Sequence, residues 1–166
     1  MIFVTVGTHE QQFNRLIEAI DKLKGSGTIQ EEVVMQTGFC TYEPRYCENY
    51  KLMSYQNMND NIQNARIIIT HGGPASFIAP LQVGKIPIVV PRQKQYGEHI
   101  NNHQMEFCTE IEKRMGNIIV IKDVSEITEA ITQYERYCKK KNMEMMEHNK
   151  IFNMKLSNIV SQLMNL

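Results

Sequence analysis

The run Arg66-Ile67-Ile68-Ile69-Thr70 leads without a linker into His71-Gly72-Gly73-Pro74 and then into a stretch with helical character. An unbroken β-branched run of this kind suits a strand covered on both faces, the usual condition in a parallel sheet. Parallel strands cannot be joined by a hairpin, so a helix must carry the chain back to start the next one. The same unit recurs. Ile2 to Val6 closes at Gly7-Thr8, and Ile86 to Val90 closes at Pro91. Each of these runs ends in a turn and is followed by a helical pattern.

Between these runs the remaining elements can be read. Phe13, Leu16, Ile17, Ile20 and Leu23 recur at helical spacing over Gln11 to Leu23, and Gly25-Ser26-Gly27 breaks that helix. Val33 to Gln36 reads as a strand and Lys51 to Tyr55 as a further one, with loop over Gly38 to Glu48. A short helix is expected over Met58 to Asn64, capped by Asn57 or Asn59. Pro74 to Val83 reads as helix, with proline in its first turn and Gly84 at its end. Helix over His99 to Met115, strand over Ile118 to Ile121 and helix over Val124 to Cys138 follow. Strands alternating with helices predict an α/β protein with a doubly wound, mostly parallel, Rossmann-like sheet. Residues 1–141 are expected to form that domain. Residues 142–166 read as a C-terminal amphipathic helix, with Phe152, Leu156, Ile159, Val160 and Leu163 in one stripe and methionines around it. Such stripes usually pack on their own domain, and a methionine-rich one also suits docking to a partner.

Charge excludes one class of function. Eighteen basic and eighteen acidic residues cancel, leaving no basic face of the kind that neutralises nucleic-acid phosphates. The cluster Lys139-Lys140-Lys141 reads as a solvated helix end rather than as a membrane or RNA patch. Cys40, Cys47, Cys108 and Cys138 show no CxxC pairing, and a strand-like opening stands where a secretory signal would be, so a cytoplasmic protein with free thiols is expected. No apolar run approaches the roughly 18 residues of a membrane span.

In open α/β sheets ligands bind beyond the carboxyl ends of the strands. Three loops should gather on that edge: Gly7-Thr8-His9, His71-Gly72-Gly73, and Arg92 to Asn102. Helix N-termini there offer free amides and a positive dipole end, a setting for a diphosphate. Gly72 and Gly73 would admit its oxygens without a Cβ in the way, and Ser76 would add a hydroxyl. Glu98 is a candidate acceptor for sugar or ribose hydroxyls and His99 a candidate donor, with Asn102 one turn onward. Plainer readings stand beside these: tight turns for the glycines, loop contacts for His9 and His71, and a solvated loop around Glu98. His99 and His103 are spaced for a shared helix face, but HExxH and a third ligand are lacking, so no metal is expected. Neither GxGxxG nor GxxxxGK[ST] is present, and spacing alone names no nucleotide.

The segments "FVTVGTHEQQFNRLIEAID" and "ITHGGPASFIAPLQVGKIPIVVPRQKQYGEHINNHQ" resemble the carboxyl-terminal, donor-binding half of family 28 glycosyltransferases over about Met1 to Ile121. The resemblance is strongest to small catalytic subunits of two-component UDP-sugar transferases of exopolysaccharide, capsule or dolichol-linked glycan assembly. It implies half of a GT-B architecture, with a UDP-sugar as substrate and no cofactor. It implies donor binding by Gly7 and Thr8, by His71, Gly72, Gly73 and Ser76, and by Glu98, His99 and Asn102. There is one departure: many relatives carry a ribose-binding glutamate where this chain has Ala79. The implied reaction is inverting hexosyl transfer to a lipid-linked saccharide in bacterial exopolysaccharide or capsule synthesis. It implies a membrane-anchored partner subunit that binds the acceptor and recruits this chain to the cytoplasmic face. Two alternatives remain: a non-catalytic UDP-sugar-binding or partner-stabilising subunit, and a sugar-nucleotide epimerase. The catalytic base, the sugar and the acceptor are not assigned by sequence.

Overall fold

The computed structural model describes residues 1–141, so the expected helix over 142–166 lies outside the described residues. Six strands form one sheet: β1 (Ile2–Thr5), β2 (Val33–Gln36), β3 (Glu48–Tyr50), β4 (Ile67–His71), β5 (Ile88–Val90) and β6 (Ile119–Val120). Their order is β3-β2-β1-β4-β5-β6 and every pairing is parallel. The helices are α1 (Asn14–Gly25), α2 (Tyr55–Asn64), α3 (Pro74–Gln82), α4 (His103–Met115) and α5 (Ile127–Thr132), with 3-10 turns at Lys94–Tyr96 and Val124–Glu126. Helix resumes over 134–141 after a turn at Gln133, interrupting the continuous helix expected from Val124 to Cys138.

Strand residues alternate between two buried faces. Ile2, Val4 and Val6 meet Leu16, Ile17 and Ile20 of α1, while Phe3 and Ile68 meet Ile62 and Ala65 at α2. Phe77, Val89, Cys108 and Ile118 close the core between α3 and α4. Burying one such aliphatic or aromatic side chain stabilises the fold by roughly 1.5–3 kcal/mol. With both faces covered, β4 can carry consecutive apolar residues, which is why Ile67, Ile68 and Ile69 are all buried.

Several boundaries differ from the sequence expectation. The third strand is Glu48–Tyr50, not Lys51 to Tyr55; all three residues are exposed at the sheet edge and carry no apolar pattern. Helix α2 begins at Tyr55 because Ser54, rather than an asparagine, caps it: its hydroxyl accepts from Asn57 N–H at 3.1 Å. Helix α1 starts at Asn14 rather than Gln11. There the His9 ring and the Gln12 side chain accept from Gln11 and Asn14 N–H, so local side-chain bonds replace a helical turn. Helix α4 starts at His103, leaving His99 to Asn102 in a loop after the left-handed Gly97 (φ 65°).

Chain order turns back at β1, whose neighbours are β2 on one side and β4 on the other. The loops after β1 and β4 therefore emerge side by side. A crevice at this point is where open α/β sheets place their ligands.

Candidate functional site

Imidazole packing explains two of the glycines at this switch point. A Cβ on Gly7, itself at φ +73°, would sit 2.5 Å from His71 Nε2, and one on Gly73 would run into the same ring. A Cβ on Gly72 would lie 2.9 Å from Gln104 Cβ and 3.0 Å from Cys108 Sγ. The expectation that these glycines clear space for a ligand is thus revised. Groups of the protein itself occupy the space above each of them.

The amides of the turn are also engaged. Gly72 N–H donates to Gln104 Oε1 at 3.1 Å, Gly73 N–H to His71 Nδ1 at 3.0 Å, and Ser76 N–H to Gly73 O at 3.0 Å. Pro74 has no N–H. Among the described residues this leaves the Ala75 N–H at the α3 N-terminus without a partner.

His71 fixes the polarity of the serine beside it. Burial, then the positive charge of Arg92, lowers its pKa from 6.5 to about 4, so it is neutral near pH 7. Because Nδ1 accepts from Gly73, the proton resides on Nε2. Nε2–H then donates to Ser76 Oγ, 2.6 Å away. The Ser76 hydroxyl hydrogen is left free to donate into the cleft. His9 is held below its ordinary pKa by burial and then by Arg92, and its Nδ1 accepts from Gln11 N–H at 3.1 Å. Both imidazoles are therefore donors through Nε2. Neither is arranged as a base.

The charged residue that holds this edge together is Arg92, to which the sequence reading assigned no role. It is fully buried two residues beyond the end of β5. Nη1 donates to the carbonyls of Gln11 (2.8 Å), Gln12 (3.1 Å) and Glu98 (3.2 Å), and Nη2 to that of Val6 (2.8 Å). These bonds tie the loop after β1 to the loop after β5. Arg92 bonds only carbonyls here, so its charge has no carboxylate contact of its own.

Glu98 is not where the sequence reading expected it. It is fully buried, and both oxygens bind Arg15, Oε1 to Nε at 2.8 Å and Oε2 to Nη2 at 2.9 Å. Oε2 also accepts from Gln93 N–H at 3.0 Å. The carboxylate is consumed within the protein and lines neither cleft. Asn102 precedes α4 and its Oδ1 accepts from Lys94 N–H at 3.0 Å, again within the loop.

The other expected residues border two clefts that share Gly73 and Pro74. The first, of about 540 Å³, is lined by Gly7, Thr8, His9, His71 and Ser76, with Thr5, Gln36, Met58, Ile62 and Ala79 deeper in. The second, of about 680 Å³, lies toward α4 and is lined by Gly72, His99, His103, Gln104, Glu106 and Phe107. His99 bridges the two regions, its ring centroid 5.2 Å from that of His9. Both volumes fall in the range of small-molecule sites. Among the described residues no group of three or more His, Cys, Asp or Glu side chains is placed to hold a metal ion.

Residues 1–163 match the profile of the glycosyltransferase family 28 C-terminal domain. The chain is 31% identical over 123 residues to the UDP-N-acetylglucosamine transferase subunit ALG13 of Homo sapiens, a match covering 68% of this chain and 10% of that protein. It is 30% identical over 122 residues to the Mus musculus subunit of the same name, covering 67% and 10%. The chain thus spans about a tenth of the length of the curated relatives it matches. The solved glycosyltransferase SnogD from Streptomyces nogalater is similar in fold, with a TM-score of 0.55 at 16% identity over 88% of this chain and 39% of that one. The calicheamicin glycosyltransferase CalG4 gives 0.55 at 14% identity, over 87% and 38%.

Proposed function

The chain belongs to the glycosyltransferase family 28 C-terminal domain, and from that premise we propose that it is the donor-binding, catalytic subunit of an inverting UDP-sugar hexosyltransferase. The acceptor is a lipid-linked saccharide, and the setting is bacterial exopolysaccharide or capsule synthesis. A membrane-anchored partner subunit supplies the acceptor site and holds the complex at the cytoplasmic face. Among the described residues no helix is long and apolar enough to cross a membrane, in keeping with an anchor on the partner.

The observation that carries this reading is the fully buried Arg92 charge tied to the loops after β1 and β5, whose field adds to burial in lowering the pKa of both His71 and His9. Arg15 and Glu98 neutralise each other, which leaves one buried positive charge at the sheet's carboxyl edge. Such a field favours an anion at the α3 N-terminus, where the Ala75 N–H and the Ser76 O–H face the cleft.

In this reading the diphosphate lies between the Gly7-Thr8 and Gly73-Ser76 segments, and the transferred sugar lies toward His99. As the acceptor hydroxyl attacks the anomeric carbon, the bond to the diphosphate oxygen breaks and negative charge grows on UDP. The Ser76 hydroxyl, the Ala75 amide, the helix dipole and Arg92 stabilise that charge without a metal. The base that takes the acceptor's proton comes from the partner, because His71 and His9 both present N–H. The helix expected over 142–166 is the proposed docking element, and a fully active complex lacking it would refute that part.

One observation favours a second reading. Ala79 lines the cleft where many relatives carry a carboxylate, as in a non-catalytic subunit that binds the nucleotide sugar weakly. Unchanged turnover of the reconstituted pair after His99→Ala and Ser76→Ala would select that reading.

The direct test is calorimetric titration of the chain with UDP, with ADP as control. Saturable UDP binding, weakened about ten- to a hundredfold by Ser76→Ala, is expected from loss of one hydrogen bond to a charged group. Absence of saturable UDP binding by the folded chain would overturn the donor-site assignment.

A further inference from the structure

Gln36 ends β2 and is only 2% exposed, yet half of its amide has no partner. Thr5 O–H donates to Gln36 Oε1 at 2.5 Å while Thr5 Oγ1 accepts from Gly7 N–H at 3.2 Å. A 2.5 Å separation fits an O–H···O bond and is too short for N–H···O, which sets the amide orientation: oxygen toward Thr5, nitrogen away. Among the described residues Gln36 Nε2 makes no hydrogen bond, and the residue lines the first cleft. Facing the cleft rather than a sealed void, this N–H is a donor available to a ligand atom that accepts from it.

The surrounding walls indicate which part of a ligand that is. Moving from Ser76 at the α3 N-terminus toward α2, the cleft becomes apolar along Ala79, Met58 and Ile62 and reaches Gln36. Apolar walls ending in a single N–H donor suit a flat heterocycle that carries a carbonyl. Resting on the donor-site reading above, we infer that Gln36 is a specificity residue: its Nε2–H donates to a ring carbonyl oxygen of the pyrimidine of a nucleoside diphosphate. The nucleoside lies over α2 and α3, the diphosphate at Ser76, and the sugar beyond Gly73 toward His99. Uracil offers two carbonyl acceptors, and adenine offers none. Adenine accepts only through ring nitrogens on a larger bicycle, so Gln36 selects a single-ring base whose carbonyl reaches it, at the far end of the ligand from the chemistry.

The test uses the full chain and two variants, Gln36→Met, which removes the N–H, and Gln36→Glu, which keeps the acceptor for Thr5 but turns the cleft-facing atom into an oxygen. UDP and ADP affinities are measured by calorimetry, and unfolding curves establish that each variant is folded. About tenfold weaker UDP binding in both variants, with ADP binding unchanged, is the expected result. UDP affinity equal to wild type in a folded variant would overturn the assignment. So would a parallel loss for UDP and ADP, which would mean that Gln36 acts only by supporting Thr5 and the Gly7 turn. A wild-type chain that binds neither nucleotide would instead overturn the donor-site reading itself, and this inference with it.

Discussion

His71 lies so close to Gly7 that a Cβ on the glycine would be 2.5 Å from the imidazole Nε2. His71 ends β4 and Gly7 lies two residues beyond the end of the neighbouring β1, and their contact sets how closely the two loops approach. Gly7→Ala adds a left-handed backbone penalty of about 1–2 kcal/mol to an overpacking cost of about 1–3 kcal/mol. We expect a loss of about 3 kcal/mol, or a fall in Tm of roughly 10 °C for a chain of this size. In Gly7→Ala/His71→Ala the overpacking part should be recovered and the backbone part should remain. Additive losses in thermal unfolding would show that the contact is not what requires glycine.

The imidazole also makes stability depend on pH in a predictable direction. Burial and the Arg92 charge lower the folded-state pKa of His71 from 6.5 to about 4. Protonation therefore favours the unfolded chain. The contribution is complete above pH 6.5 and is lost as pH falls from there through about 4. At 1.36 kcal/mol per pH unit this amounts to about 3 kcal/mol. The stability difference between wild type and His71→Asn, taken from denaturant unfolding at pH 7 and pH 4, should shrink by about that amount. Carboxylates titrate in both proteins and cancel in the difference. A gap independent of pH would show that His71 is not held neutral.

Some of this was legible in sequence, and the reason differs from element to element. Strands β1 and β4 announce themselves because burial on both faces demands unbroken apolar runs. Strand β3 is hidden because an exposed edge strand, Glu48-Asn49-Tyr50, needs no pattern at all. The three loops on one edge followed from alternation of strand and helix, and the sheet order brings the loops after β1 and β4 together. What each polar residue in them does was not legible. Glu98 looks like a free carboxylate in a polar loop, because Arg15, which binds both of its oxygens, stands 83 positions earlier. Arg92 offered only one signal, a cation immediately after a buried strand. Gln36 offered none, since its unpaired nitrogen is defined by what Thr5 and Gly7 do.

The Arg15–Glu98 pair gives a test that separates a structural from a ligand-binding role. Glu98 is fully buried and Arg15 nearly so, with side-chain exposures of 0% and 13%. Glu98→Ala strands the guanidinium, which also stacks on Tyr96 at 4.6 Å. A loss of about 3–5 kcal/mol is expected for breaking a buried pair from one side. UDP affinity should fall as well, through displacement of the loop that carries His99. Arg15→Met/Glu98→Met removes both charges and should regain much of the stability and of the UDP affinity. A direct contact between Glu98 and the sugar would predict the opposite, affinity still lost in a stable double variant.

Ala79 offers a gain-of-function test of where the nucleoside lies. It sits on α3 one turn beyond Ser76, lines the first cleft and packs on the α2 side of the core. The family resemblance puts a ribose-binding carboxylate at this position in many relatives. If the nucleoside runs from Ser76 toward Gln36, its ribose must pass Ala79. Ala79→Glu then supplies a charged acceptor to ribose hydroxyls, and such bonds contribute about 1.5–3 kcal/mol. We expect UDP to bind about tenfold more tightly. The gain should be smaller for 2′-deoxy-UDP, which has one hydroxyl fewer to offer. Stability should fall modestly, because a longer side chain disturbs the contact with Met58 and Ile62. If calorimetry finds the same UDP affinity in a folded Ala79→Glu chain, the ribose does not cross α3. The nucleoside would then have to lie on the α4 side of Gly73, and Gln36 could not be its reader.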